Sequence, residues 1–176
     1  MDEQVATTTS FDLFYAVERS RLVATLDAAE RCGADVATDA VDEAFVRALA
    51  HWRRVERMEA PAGWVFTVAR NHVRRSRSRR VTEQGLLARS RSDHVDAGAQ
   101  PSWELWDAVA ALPERERLAV ALRYLGDMTE KEVAAVMRIA PGTVAATLHA
   151  ARQRLARVLA DQAPDDRSAQ EVKHDV

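Results

Sequence analysis

The 176-residue sequence lacks the features that define several classes of protein. Its one cysteine, Cys32, excludes a disulfide framework and a zinc site built from cysteines. Six glycines and five prolines exclude collagen-like and low-complexity chains. There is no run of about 18 apolar residues. The acidic N-terminus also has no hydrophobic segment of the kind found in signal peptides. We therefore expect a cytoplasmic protein without membrane insertion.

Sequence patterns for catalysis and metal binding are also missing. The sequence has no glycine-rich phosphate loop and no nucleophile elbow, and none of its five histidines pairs with another four residues away. Cys32 precedes Gly33 and is interpreted as a small residue in a helix-ending turn. We therefore predict no enzyme activity, no metal site and no cofactor.

Helical periodicity runs through the whole sequence, which predicts an all-α fold. Ser10 is a candidate N-cap for the first helix, and a third helix is expected to begin near Pro61. The second segment carries one continuous apolar face, formed by Val41, Ala44, Phe45, Ala48, Leu49, Trp52 and Val55.

Loss of periodicity divides the chain into two small helical domains. Residues 1–80 form the first, and residues 102–161 form the second. Between them, residues 81–101 are rich in Ser, Gly, Asp and Gln and are predicted to be a flexible linker. The acidic residues 162–176 are predicted to be a disordered tail.

The overall charge of −2 argues weakly against a nucleic-acid partner, but it is a sum of unlike segments. The first segment, 1–80, carries a net +1, whereas residues 81–111 carry −3. Residues 112–160 carry +3, and residues 161–176 carry −3. Because electric fields respond to local charge, the near-neutral average does not exclude DNA.

Residues 129–158 have the pattern of a helix-turn-helix. Thr129 and Glu132 are spaced as a capping box, which predicts the start of a short helix. A turn follows, and then an amphipathic helix with Arg152, Arg154 and Arg157 and no acid between Ile139 and Ala160. This arrangement is typical of a helix presented to the major groove. An ordinary helical hairpin with a solvated basic face fits the spacing equally well.

A second basic cluster follows Trp64. No acid occurs between Glu59 and Glu83, whereas six arginines do, together with His72. Neighbouring arginines on a helix repel one another unless a counter-charge is present, and a phosphate backbone would supply one. Arginines beside aromatic side chains are typical of single-strand binding. The alternatives are a solvated charged face and, for Trp64, a place in the core.

Several motifs, in order, resemble those of group IV sigma factors of bacterial RNA polymerase, the extracytoplasmic-function type. In the first domain these are ATDAVDEAF at 37–45 and APAGWVFTVARNHVRRSRSRR at 60–80. In the second they are LPERERLAVALRYLGDMTEKEVAAVM at 112–137 and APGTVAATLHAARQRL at 140–155. The resemblance covers about residues 10–160.

The resemblance implies that the first domain binds the core polymerase (β and β′ subunits) and melts the −10 promoter element, while the second reads the −35 element. The implied core-binding residues are Asp39, Asp42, Glu43 and Phe45. The implied −10 DNA-binding residues are Trp52, Arg53, Arg54, Trp64, Arg70, Asn71, Arg74 and Arg75. The implied −35 DNA-binding residues are Thr143, Ala145, Ala146, Thr147, His149 and Arg152. Sigma factors of this type are commonly held by an anti-sigma partner.

The chain departs from the family pattern in its last helix. Where the family has Lys-Ser-Arg, this sequence has Ala145-Ala146-Thr147, and a following arginine is Ala150. Alanine cannot make bidentate base contacts or neutralise phosphates, so weaker −35 binding is expected. Arg138 stands where the family has a glycine in the turn, and a positive φ there is expected to cost strain. Ala140 stands where the family has a capping serine. Two alternative functions therefore stay open: a stand-alone helix-turn-helix regulator, and a degenerate sigma-like interaction protein.

Overall fold

The computed structural model describes residues 2–85 and 103–162, and within these ranges every regular element is helical. The all-α prediction is therefore confirmed for the described part of the chain. The first half contains α1 (Asp2–Glu30), α2 (Ala34–Ala50), α3 (Trp52–Val55) and α4 (Pro61–Gly85). The second half contains α5 (Trp103–Ala110), α6 (Glu114–Val120), a π-helix (Ala121–Leu125), α7 (Glu130–Met137) and α8 (Pro141–Gln162).

The first half is a bundle in which α2 packs against both α1 and α4. The predicted apolar face of α2 supplies the centre of its core, with one exception: Leu49 is 53% exposed. The helix ends at Ala50 and the chain turns at His51, so the predicted continuous face is broken before Trp52. From α4, Val65, Phe66, Ala69 and Val73 are buried.

The second half contains the predicted helix-turn-helix. Thr129 caps α7 in a capping box with Glu132, as predicted. Arg138 ends α7 in the left-handed conformation, with φ 55° and ψ 49°, also as predicted. The axes of α7 and α8 differ by 99°, within the range typical of helix-turn-helix units. The two helices contact each other, and each has buried side chains: Val133 and Ala134 on α7, Val144 and Leu148 on α8.

Two local predictions need correction or fall outside the described ranges. Helix α1 already begins at Asp2, so Ser10 lies inside the helix and is not its N-cap. After α6, the chain changes to π-helical geometry at Ala121, and a side chain at Gly126 would lie 2.7 Å from the carbonyl oxygen of Leu122. Helix α4 extends to Gly85, while most of the predicted linker and tail lies outside the described residues.

The two halves pack against each other. Arg117 Nε donates to the carbonyl oxygen of Ala29 at the end of α1, at 3.0 Å. Burial lowers the pKa of Arg117. Helix α1 also contacts the π-helix and α6, while α4 contacts α7. Buried side chains from both halves form one connected hydrophobic cluster.

No single described helix is both long and apolar enough to cross a membrane. Helices α7 and α8 satisfy that test of length and composition only as a bent pair.

Candidate nucleic-acid interface

Helix α4 displays its arginines on more than one side. Val65, Ala69 and Val73 face the core, which turns the residues between them outward. Asn71, His72, Arg75 and Arg79 are exposed. Arg70 is the most enclosed of the described arginines in this helix, with 17% of its side chain exposed.

A buried carboxylate lies at the centre of the arginine tract. Glu30, at the end of α1, has 5% of its side chain exposed. Arg70 Nε donates to its Oε1 at 2.5 Å, and Arg74 Nε lies 3.5 Å from its Oε2. Arg77 donates to the backbone oxygens of Glu30 and Arg31. Part of the counter-charge that the sequence motif lacks is therefore supplied by the fold.

A second carboxylate comes from the other half of the chain. Glu114, the first residue of α6, accepts from Arg74 Nη2 and, at 3.3 Å, from Arg70 Nη2. Glu114 and Arg74 line a junction cavity of about 320 Å³, together with Glu30, Arg77 and Arg117. Arg70 and Arg74 are thus engaged within the chain, whereas Arg75 and Asn71 point to solvent.

The two tryptophans predicted to meet DNA lie in or against the core. Trp52 is 4% exposed and packs against Phe11 and Phe14, with ring centroids 5.3 and 5.0 Å away. Its Nε1 is buried without a hydrogen-bond partner among the described residues. Trp64 is half-buried against the same core. Arg53 and Arg54, the two arginines that follow Trp52, are exposed.

Three of the predicted polymerase-binding residues, all acids, lie on the outer side of α2, and the fourth, Phe45, does not. Phe45 is buried and contacts the Tyr15 ring edge-on at 4.9 Å. Asp39 is exposed. Asp42 is held by Arg19 at 2.6 Å, and Glu43 pairs with Arg47 at 2.9 Å. Val46 and Leu49 add exposed apolar surface to the same helix.

The predicted −35 residues share the outer face of α8. Most of them are exposed, and Thr147 is half-buried, with its hydroxyl donating to the Thr143 carbonyl at 2.7 Å. Arg152 is exposed, but Arg154 turns back to Glu116 on α6, at 3.0 Å. The face therefore presents little positive charge. Its exposed members are Thr143, Ala145, Ala146, His149 and Arg152.

Sequence reasoning missed several residues around these sites. Gln153 Nε2 lies 2.9 Å from His149 Nε2, which adds an amide to the outer face of α8. The four-residue spacing of the two polar side chains was a signal that could have found this pair. The contacts of Glu30 and Glu114 gave no local signal, because their arginine partners are 40 or more residues away in sequence. The contact of Arg117 with the first half gave none either, because Ala29 is 88 residues away.

The remaining reactive groups do not assemble into another site within the described residues. Burial raises the pKa of the Cys32 thiol to about 11, with the charge of Asp27 adding to the effect, which makes the thiol a poor nucleophile at neutral pH. The described ranges contain no group of three or more His, Cys, Asp or Glu side chains that could hold a metal ion.

Comparison with known proteins places these features in one family. The family description "Sigma-70 region 2" matches residues 15–82, which include the arginine tract. The description "Sigma-70, region 4" matches residues 102–155, which include the helix-turn-helix. The ECF RNA polymerase sigma factor SigL of Mycobacterium tuberculosis is 33% identical over 128 residues, covering 68% of this chain and 72% of SigL. The chain belongs to the ECF sigma factors of the sigma-70 family.

Other ECF sigma factors show similar agreement. EcfG of Rhodopseudomonas palustris is 30% identical over 143 residues, covering 76% of this chain and 79% of EcfG. SigM of Bacillus subtilis is 28% identical over 127 residues, covering 68% of this chain and 77% of SigM. The family resemblance stated from the motifs is therefore confirmed.

A solved structure supports the fold of this sigma factor. It is the sigma factor RpoE of Bartonella quintana in complex with the anti-sigma factor NepR. The match has a TM-score of 0.66 and 23% identity, and it covers 85% of this chain and 96% of that chain. At this level of identity the likeness establishes the fold alone.

Proposed function

We propose that this ECF sigma factor binds core RNA polymerase, directs it to promoters and opens the −10 element. The observation that carries the proposal is the joint presence of regions 2 and 4 in one chain, with a basic α4 in the first and a helix-turn-helix in the second. A stand-alone helix-turn-helix regulator would have no need of region 2.

The polymerase contact is assigned to the exposed side of α2. Asp39, Asp42 and Glu43 give this side negative charge, and Val46 and Leu49 add apolar area beside it. Mixed acidic and apolar surface suits a protein partner better than a polyanion. Phe45 supports this surface from beneath, by packing.

Strand binding is assigned to a surface formed by the arginines of α4 and by Asn71 of the same helix. Arg53 and Arg54 are assigned to the edge of this surface. Guanidinium groups form charge-assisted hydrogen bonds to phosphate, and the α4 tract contains no acid of its own. The buried indole of Trp52 takes no part in this assignment. Base stacking in this region is assigned to the half-buried Trp64.

The −35 contact is assigned to the outer face of α8, with Thr143, His149, Gln153 and Arg152 as its polar members. Because Ala145 and Ala146 provide no charge, this face binds duplex DNA weakly by itself. Most of the DNA affinity would then come from the polymerase complex. An anti-sigma partner of the kind bound to the Bartonella RpoE fits the same family membership.

Mixing purified chain, core polymerase and promoter duplex tests the proposal. Size-exclusion chromatography should show co-elution with core, and permanganate should modify unpaired thymines near −10 only when all three components are present. Co-elution without thymine reactivity on any promoter would favour the degenerate interaction protein. Tight duplex binding without core would favour the stand-alone regulator.

A further inference from the structure

The junction cavity brings together charged side chains from both halves of the chain. Arg74 and Arg77 come from α4, Glu30 comes from the end of α1, and Glu114 and Arg117 come from α6. Three guanidinium groups therefore face two carboxylates. The volume, about 320 Å³, lies at the lower end of the range for ligand pockets, which is about 300–1,000 Å³. A ligand that fits this cavity is small.

The two carboxylates of the cavity are already bound by two arginines. Arg70 Nε donates to Glu30 Oε1 at 2.5 Å, and Arg70 Nη2 donates to Glu114 Oε1 at 3.3 Å. Arg74 contacts the same two carboxylates, with its Nε 3.5 Å from Glu30 Oε2. Two negative charges thus balance two positive charges before the other two arginines of the lining are counted.

The hydrogen bonds of Arg77 and Arg117 within the described residues go to backbone carbonyl oxygens, not to carboxylates. Arg77 Nη2 donates to the carbonyls of Glu30 and Arg31 at 2.7 and 2.9 Å, and its Nη1 is 3.8 Å from the Glu30 carboxylate. Arg117 Nε donates to the Ala29 carbonyl, and its Nη1 donates to two carbonyls that precede α6. The end of α1 supplies roughly half a negative charge, which offsets only part of two positive charges.

The balance of charge around Arg117 is positive. Burial is the main cause that lowers the pKa of Arg117, and the charge of Arg31 is the second. Arg77 lowers the pKa further, while the carboxylates of Glu114 and Glu30 act in the opposite direction without reversing the result. Like charges held together in a partly buried space repel one another, and a bound anion would relieve that repulsion.

We infer that the junction cavity is a binding site for a small anion with phosphate groups, held between Arg77 of the first half and Arg117 of the second. Guanidinium groups bind phosphate oxygens through charge-assisted hydrogen bonds, and both groups are already fixed in place by the carbonyls. The inference goes beyond promoter binding and does not depend on the strand-binding role of α4. Free pyrophosphate and the diphosphate group of a nucleotide share the chemistry that this site would recognise.

Binding is measured on the full chain by calorimetric titration and by thermal unfolding. Inorganic pyrophosphate should bind saturably and raise the melting temperature, because a ligand that binds only the folded chain stabilises it. Sodium chloride at the same ionic strength should not reproduce the rise. A parallel titration with ADP distinguishes the two sources. Tighter binding of ADP would support the site with a nucleotide as its ligand, and tighter binding of pyrophosphate would support it with a free anion.

Four substitutions test the cavity itself. Arg77→Gln and Arg117→Gln should each lower the affinity for pyrophosphate about tenfold, the typical loss for a hydrogen bond to a charged group. Arg115→Gln makes the same charge change at an exposed site on α6 and should leave the affinity nearly unchanged. Glu114→Gln removes a negative charge from the lining and should raise the affinity about fivefold. A gain of affinity cannot result from unfolding, so this variant keeps the test decisive if Arg117→Gln folds poorly.

The result for Arg117→Gln separates the cavity from the arginine tract of α4. Lower affinity in Arg77→Gln and Arg117→Gln, with Arg115→Gln unchanged, would support the site. Equal affinities for Arg117→Gln, Arg115→Gln and the unsubstituted chain would place the anion on α4 alone and overturn the inference. Absence of saturable pyrophosphate and ADP binding at millimolar concentrations would also overturn it. Neither of these outcomes would affect the proposed function, which is tested with promoter DNA and core polymerase.

Discussion

Arg19 on α1 holds both carboxylate oxygens of Asp42 on α2: the distances from Nε to Oδ1 and from Nη2 to Oδ2 are both 2.6 Å. The pair is partly exposed, so it contributes only modestly to stability. Its larger effect is to fix the direction of an acid on the proposed polymerase-binding surface.

Two substitutions separate the effect of the ion pair on stability from the effect of the Asp42 carboxylate on polymerase binding. Asp42→Asn should weaken core-polymerase binding about tenfold, the typical loss when a hydrogen bond to a charged group is removed. Arg19→Gln breaks the same ion pair but keeps the carboxylate, so it should lower stability equally and core binding much less. Titration against labelled core polymerase and thermal unfolding measure the two quantities. Equal losses of core binding would mean that Asp42 acts only by packing α1 on α2.

Arg75 and Arg70 are predicted to differ although both belong to the α4 tract. Arg75→Ala removes an exposed charge and should lower single-strand affinity about three- to tenfold with little change in stability. Arg70→Ala leaves Glu30 buried with less compensation and should cost about 1–3 kcal/mol of unfolding free energy. Fluorescence anisotropy and urea unfolding test the two substitutions. A large loss of stability in Arg75→Ala would contradict its placement in solvent.

The outer face of α8 can be tested by adding charge. Ala145→Lys with Thr147→Arg should increase duplex affinity and steepen the slope of log K against log salt by about 0.9 for each new phosphate contact. Ala111→Lys, at an exposed alanine outside the helix-turn-helix, is the charge control. A slope that matches the control would mean that this face of α8 does not meet DNA.

Glu18 provides a prediction about pH. Burial raises its pKa above the ordinary 4.5, Arg21 opposes the rise, and Asp127 and Glu132 of the second half add to it. A raised carboxyl pKa means that the folded chain binds this proton more tightly than the unfolded chain. The resulting stabilisation is fully present below pH 4.5 and is lost as the pH rises through the folded-state pKa.

Glu18→Gln should therefore raise the melting temperature at pH 7, and the difference from the unchanged chain should shrink as the pH falls toward 4.5. Thermal unfolding across this pH range is the measurement. Asp12→Asn, at an exposed site on the same helix, should show no such trend. A lower melting temperature for Glu18→Gln at pH 7 would show that its ion pair with Arg21 outweighs the effect of burial.

Features with local causes were predictable from the sequence. The apolar spacing of α2, the Thr129–Glu132 capping box and the left-handed Arg138 each depend on residues within one or two helical turns. The family motifs also made the order of regions 2 and 4 predictable from the sequence. The burial of Trp52, an implied −10 DNA-binding residue, had no such local signal, because an aromatic residue on the edge of an apolar face fits a core as well as a surface. Its role in −10 binding stays a prediction.

Features with tertiary causes were not predictable. An acid-free arginine tract indicates an external polyanion. The fold instead brings two carboxylates to the tract, although Glu30 is 40 residues from Arg70 in sequence and Glu114 is 40 residues from Arg74. Leu49 continues the apolar face of α2 in sequence but is exposed, and the chain turns at His51 before the face resumes at Trp52. The packing of the second half on α4 had no signal in any single segment.

Transcription in vitro, with purified core polymerase on a library of genomic promoter fragments, measures promoter-directed initiation itself. We expect transcripts that start at defined sites only when the chain is added, from fragments that share −10 and −35 sequences. Arg74→Ala combined with Arg75→Ala should abolish these transcripts while core binding persists. Failure of the unsubstituted chain to start transcription from any fragment, despite binding core, would contradict the proposed function.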